Sequence, residues 1–195
     1  DFMTYEIGVD SVIITRSAPD KLSAFYNVCS HRGRRLVDTP AGMKNARGKK
    51  KNFICAFHGW RYSIEGKCTL VPEQQDWQGK LGEERTRLGP VKVDTWGGWA
   101  FINMDPDAEP LRDYLEPIAS FLDPFELQNM RARWRRWLIA DCNWKVAMEA
   151  FNETYHVETT HPEFNQFGSF RGWARAYGRH SNIGYDPPKG GTDQD

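Results

Sequence analysis

Val28-Cys29-Ser30-His31-Arg32-Gly33 and Cys55-Ala56-Phe57-His58-Gly59-Trp60 are the two stretches on which the reading of this chain turns. The first gives C-x-H and the second C-x-x-H, and each has a glycine close behind its histidine. Two thiolates and two imidazoles fit either a tetrahedral zinc or a two-iron, two-sulfur cluster in which two His replace two Cys on one iron. Structural zinc usually takes like ligands in each pair, whereas here each loop supplies one Cys and one His. Mixed pairs suit a cluster whose Cys-bound and His-bound irons lie side by side. The long gap between His31 and Cys55 holds the polar, Gly- and Lys-rich run from Ala41 to Lys51. That run reads as a surface loop, whose extra length costs little closure entropy.

Around these loops the sequence reads as short β-segments between turns. Val12 to Thr15, Leu22 to Val28, Phe53 to Ala56, Arg61 to Ile64 and Trp99 to Asn103 are candidate strands, broken by Ala18-Pro19-Asp20 and Glu65-Gly66-Lys67. They predict a small antiparallel β-domain over residues 1–106. Asp105-Pro106-Asp107-Ala108-Glu109-Pro110 reads as a junction, and a second unit over 107–195 opens with a helical pattern from Leu111 to Leu122 that Pro117 interrupts. Asp141 or Asn143 is placed to cap a further helix, in which Trp144, Ala147, Met148, Phe151 and Tyr155 form an apolar stripe expected to face a core. Beyond Pro162 the periodic signal fades, and Pro187-Pro188-Lys189-Gly190-Gly191 reads as loop. The fold class is α+β.

Bulk properties narrow the function. Lys+Arg and Asp+Glu balance at 26 each, which argues against a nucleic-acid or membrane-surface partner, and the basic runs from Arg47 to Lys51 and Arg131 to Arg136 read as solvated faces. No apolar run approaches the roughly 18 residues of a membrane span, and no leader peptide is read at Asp1. Four cysteines are too few for a disulfide scaffold in 195 residues, so a reducing cytoplasm is expected and metal ligation is the live question. Cys68 and Cys142 belong to neither loop and are expected to be small buried hydrophobes.

A second constellation follows: Glu153, His156 and His161-Pro162. A mononuclear, oxygen-activating Fe(II) site takes two His and one carboxylate on one face, with positions left open. His156 and His161 are about 140° apart on an ideal helix, so they can share a metal only if the helix ends or distorts between them. Thr159, Thr160 and Pro162 supply reasons for that ending. Glu153 lies one turn before His156 on the same face.

The first two loops resemble those of the ring-hydroxylating oxygenases, C-x-H-R-G and C-x-[FY]-H-G-W, which carry a Rieske cluster. The resemblance implies that Cys29 and Cys55 hold one iron while His31 and His58 hold the other. Respiratory-chain Rieske proteins have an extra, disulfide-paired cysteine in each loop; here Gly33 or Arg34 and Ala56 or Phe57 stand instead. The separation of His31 from Cys55 is longer than the family's usual one. The later stretch resembles the same family's [DE]-x-x-H-x-x-x-x-H motif, which implies His156 and His161 as ligands of mononuclear iron. Glu153 then falls where the family places a carboxylate linking one subunit's cluster to its neighbour's iron. Trp96-Gly97-Gly98-Trp99 and Phe101-Ile102-Asn103 resemble the closing strands of the Rieske domain.

By this resemblance the chain is the N-terminal part of a large (alpha) subunit, a Rieske non-haem iron oxygenase. It implies electrons from NAD(P)H through a ferredoxin or flavin reductase, their passage from a [2Fe-2S] cluster to Fe(II), and hydroxylation of a small organic substrate with O₂. Aromatic substrates are the family's usual ones, but many aromatic-ring dioxygenases have Asp at the position of Glu153, whereas some members acting on quaternary amines have Glu. The family assembles as a homotrimer or heterohexamer. Its third iron ligand is an Asp or Glu far downstream, which Glu163, Asp186, Asp193 and Asp195 lie too early to match. The ligand is expected beyond residue 195, and the 195 residues alone are expected not to turn over substrate. The rivals are a Rieske electron carrier without oxygenase activity and a zinc-stabilised binding module.

Overall fold

The computed structural model describes residues 1–134, 136, 138–167 and 172–185. The chain divides into two compact units between Leu111 and Arg112, taken here in turn. The first is built on an antiparallel sheet in the order β4-β1-β2-β3-β8-β9. Its strands are β1 (Phe2–Ile7), β2 (Asp10–Ala18), β3 (Lys21–Tyr26), β4 (Arg47–Gly48), β8 (Pro90–Trp96) and β9 (Trp99–Asn103). A second antiparallel sheet joins β5 (Asn52–Ile54), β6 (Arg61–Ser63) and β7 (Cys68–Leu70), and a short helix α1 (Glu83–Thr86) precedes β8.

The run Val12-Ile13-Ile14 explains the layering. Successive strand residues point to opposite faces, and a strand buried on both reads as an unbroken apolar run. Ile13 accordingly enters a core with Phe25, Phe53, Tyr62 and Leu88, while Val12 joins Ala24 and Val91 in a separate cluster, with Ile14 packed against it. Phe53 is fully buried, edge-on to Phe2 at 5.6 Å and to Phe25 at 5.9 Å. The two sheets are also tied by polar bonds: Thr15 Oγ1 donates to the Ile64 carbonyl at 2.5 Å. At the β6–β7 turn, Gly66 has φ +80°, and a Cβ there would sit 3.0 Å from Phe25 Cδ1, so both backbone and space demand glycine.

Trp99–Asn103 forms as expected, and the turns at Pro19-Asp20 and Glu65-Gly66-Lys67 join paired strands. The strand expected to run to Val28 stops at Tyr26, because Asn27 turns inward (below). The run from Ala41 to Lys51 is not wholly loop: β4 pairs with the start of β1 through Phe2–Gly48 and Met3–Arg47.

In the second unit the predicted break at Pro117 separates α2 (Leu111–Leu115) from α3 (Ile118–Leu122). Asn143 is the cap of α4 (Trp144–Glu149), its side chain accepting from the Lys145 N–H at 2.9 Å. The expected apolar stripe needs correction. The helix ends at Glu149, where Phe151 N–H and Asn152 N–H tighten onto carbonyls three residues back. Trp144, Phe151 and Tyr155 are 66%, 78% and 93% exposed, because no described element packs over them. Cys142 is exposed and Cys68 half-buried, so the expectation that both are buried fails. α5 (Val157–Thr160) follows, then a hairpin of β10 (Gly172–Tyr177) and β11 (His180–Tyr185) where the periodic signal had faded. Asp186, Asp193, Asp195 and the Pro187–Gly191 run lie outside the described residues. Among the described residues, no helix is long and apolar enough to cross a membrane.

Phe53→Ala should lower unfolding free energy by about 3 kcal/mol or more, as deleting a buried ring leaves a cavity. The half-exposed neighbour, Ile54→Ala, should cost about 0.5 kcal/mol. Urea unfolding followed by tryptophan fluorescence would check both.

Candidate metal centres

Cys29 and Cys55 begin loops of one construction. Cys29 N–H donates to the Arg34 carbonyl at 2.8 Å, and Cys55 N–H to the Trp60 carbonyl at 2.8 Å. The return bonds, Gly33 N–H to the Cys29 carbonyl and Gly59 N–H to the Cys55 carbonyl, are each 3.0 Å. Gly33 and Gly59 both sit at φ +74°. No atom lies within 4 Å of a Cβ built at Gly33, so the glycine there answers to backbone angle rather than crowding.

The first loop is held from below. Asn27 is fully buried; its Oδ1 accepts from Leu36 N–H at 3.1 Å and Val37 N–H at 3.0 Å, and its Nδ2 donates to the Val37 carbonyl at 2.7 Å and Ser11 Oγ at 3.1 Å. Ser11 passes the chain of bonds to Glu6 at 2.9 Å, which also receives Thr39 and pairs with Arg35.

This geometry brings the four ligand candidates together as a thiol pair and an imidazole pair. Cys29 and Cys55 are both 2% exposed and belong to one buried cluster. The His31 and His58 ring centroids are 4.7 Å apart. His31 stacks on the buried Trp60 at 4.9 Å with 3° between the planes, and its Nδ1 is buried with no hydrogen-bond partner. A buried polar atom without a partner is rare enough to call for an unseen one. The Tyr62 hydroxyl is 3.1 Å from Cys29 Sγ and accepts from Ser30 N–H at 3.2 Å.

The protonation balance favours the metal-binding form at Cys55 and His31 and opposes it at Cys29. Burial pushes the Cys29 thiol up, against hydrogen bonds from Tyr62 and the His31 N–H. At Cys55 burial also acts upward, but the Phe57 and His58 N–H groups, the Cys29 thiol and the Arg34 charge outweigh it and hold the thiol below its usual range. Burial, then the charges of His58 and Arg32, lower His31, which favours the neutral imidazole that ligates metals. The set fits a two-iron cluster with thiolates on one iron and imidazoles on the other. Among the described residues no three His, Cys, Asp or Glu groups are gathered as a single ion would need.

In the second unit His156 and His161 flank the single turn of α5, at its N-cap and C-cap. That is how a five-residue spacing brings two rings together: their centroids are 5.6 Å apart. Glu153 Oε1 meets His156 Nδ1 at 2.5 Å while Oε2 accepts the His156 N–H at 3.1 Å. The hydrogen bond from the His156 ring is the main reason the Glu153 carboxyl lies below its usual range. Glu163 Oε1 stands 3.5 Å from His161 Nδ1. The carboxylate on His156 Nδ1 leaves that ring's Nε2 free to meet a metal, as a metal-bound imidazole is usually supported, whereas Glu163 stands near His161 without a hydrogen bond. Sequence reasoning set Glu163 aside as a third ligand and did not note its nearness to His161. It also missed Asn27 and Tyr62, whose partners are far away in the chain.

Residues 1–93 match the Rieske [2Fe-2S] domain, and residues 125–188 match the ring-hydroxylating alpha subunit catalytic domain. The large oxygenase component of the naphthalene 1,2-dioxygenase system of Pseudomonas putida is 34% identical over 83% of this chain and 36% of its own length. The glycine betaine monooxygenase oxygenase subunit of Pseudomonas aeruginosa is 29% identical over 84% of this chain and 36% of its own. A crystal structure of a quaternary ammonium Rieske monooxygenase in complex with L-carnitine superposes with a TM-score of 0.72, at 27% identity, over 91% of this chain and 49% of that one. The chain thus spans little more than a third of the length of these curated relatives. Two paired Cys/His loops on an antiparallel domain, followed by a carboxylate-backed histidine pair, agree with both matches: the chain belongs to the Rieske oxygenase large subunits, with a Rieske [2Fe-2S] domain and part of a ring-hydroxylating catalytic domain.

Proposed function

We propose that this chain is part of a terminal oxygenase component, in which Cys29, His31, Cys55 and His58 hold a Rieske cluster and His156 and His161 are two ligands of a mononuclear Fe(II). The observation that carries the first assignment is the pair of like-built loops closing on two thiols and on the buried, unpartnered His31 Nδ1. When bound, the cluster supplies single electrons and the iron the reduction of O₂ that hydroxylates an organic substrate. A ferredoxin or flavin reductase, ultimately NAD(P)H, is the electron source in this reading, and the working assembly is a ring of like subunits.

The protein's own residues do the positioning. The Phe57 and His58 N–H groups steady the Cys55 thiolate, and Tyr62 binds Cys29 Sγ. Glu153 holds the Nδ1 proton of His156, fixing ring orientation and tautomer. We further assign Glu153 the link between cluster and iron, in keeping with its place in the family motif. The substrate lies between two classes, since the relatives include an aromatic dioxygenase component and a betaine monooxygenase subunit. Glu153 favours the second class, because Glu stands there in some members acting on quaternary amines.

Two experiments test this. Iron-reconstituted chain should be red-brown, with a rhombic EPR signal on reduction, and Cys55→Ser should lose both; a Cys55→Ser protein that kept them would remove the cluster assignment. In an oxygenase carrying this sequence, Glu153→Gln should keep the Rieske spectrum and mononuclear iron while product formation falls about 10- to 100-fold. Iron loss in step with activity would make Glu153 a ligand, and unchanged turnover would remove the link.

A further inference from the structure

Between β7 and α1 the chain makes a 3-10 turn, Gln74–Trp77, bracketed by Glu73 at φ +53° and Gln78 at φ +48°. Non-glycine residues in the left-handed region are strained, and such strain persists only where the surroundings hold it. What the turn delivers is one indole ring. Trp77 meets His31 edge-on, with centroids 5.9 Å apart and planes at 84°, and meets Trp60 at 6.2 Å and 82°.

His31 is therefore partly covered: Trp60 lies on its face, His58 stands on one side and Trp77 on another. His58 differs, being exposed beside Phe57, whose ring is 3.9 Å away and 57% exposed. Trp77 itself is 37% exposed, so one flank covers the imidazole while the other faces solvent. Its ring neighbours are a ligand candidate and that ligand's stacking partner.

We propose that Trp77 is a positioning residue that holds His31 in its stack on Trp60 and limits the water reaching the His31 side of the cluster. This rests on the assignment of His31 as a cluster ligand. The consequence for electron transfer follows from charge. Two ferric ions, two sulfides and two thiolates sum to zero, and uptake of one electron from a reduced donor leaves the cluster at minus one. Water stabilises the charged state, so a ring that excludes water holds the reduction potential down.

The test uses the iron-reconstituted chain as wild type, Trp77→Ala and Trp77→Phe, with iron content and thermal unfolding recorded for each. Readouts are the midpoint potential and the deuterium modulation seen by pulsed EPR after exchange into D₂O. Trp77→Ala should shift the potential positive and deepen the deuterium modulation, and Trp77→Phe should restore both toward wild type. Loss of cluster from the alanine protein alone, regained with phenylalanine, also supports the role, since it shows that the ring holds His31. A loaded Trp77→Ala protein with unchanged potential and modulation would overturn it, as would equal cluster loss from both variants. A wild-type chain that takes up no cluster would instead overturn the ligand assignment, and this proposal with it.

Discussion

The side chain of Asn27 is the point on which the first unit's site depends. A primary amide has two donor hydrogens and an acceptor oxygen, and here all are spent: on two backbone groups of Val37, on the Leu36 N–H, and on Ser11 of the neighbouring strand. Each bond contributes on the order of 1 kcal/mol net, but an unmet buried partner costs about 1–3 kcal/mol, so the arrangement tolerates little slack. Both sides of the ligand loop are fixed by it, since Asn27 precedes Cys29 and Leu36 follows Arg34. The core between the sheets can then include the two cysteines as ordinary small residues.

The two units place their ligands by different means. In the first, donors sit on loops whose bases are hydrogen-bonded to sheets, and the thiols are nearly closed to solvent. In the second, two histidines stand at the ends of a single helical turn, the first held by a carboxylate near in sequence. Local pairing can orient a ring without a core around it. The apolar residues of the same segment, Phe151 and Tyr155 among them, remain exposed, and only Thr154 and Val157 nearby are buried.

The sequence made legible what depends on near neighbours. Both Cys/His loops, the break at Pro117, the Asn143 cap and the need for an interruption between His156 and His161 are local, and each is found. Long-range dependences stayed hidden. β1 and β8 lack a strong alternating signal, and β4 is two residues of a Lys-rich run that becomes a strand only because β1 lies beside it. The apolar stripe of α4 shows the converse. Its period was carried past the end of the helix at Glu149, to Phe151 and Tyr155, and periodicity says that a face is apolar, not that anything covers it. Hairpin β10–β11 escaped because Arg175 and Arg179 interrupt the apolar pattern, although Gly178, at φ +62°, marks its turn.

The short strand β4 has an effect on how copies of this molecule meet one another. An outermost strand offers unpaired amides and carbonyls to any other chain. Here β1 would be that strand, but Arg47 and Gly48 occupy its first half, and Thr4 is bonded at 2.8 Å both ways to Ala46. The new rim carries Arg47, Lys49, Lys50 and Lys51, all exposed. Two such rims approaching edge to edge would set like charges against each other, so the added loop gives the sheet a self-repelling border.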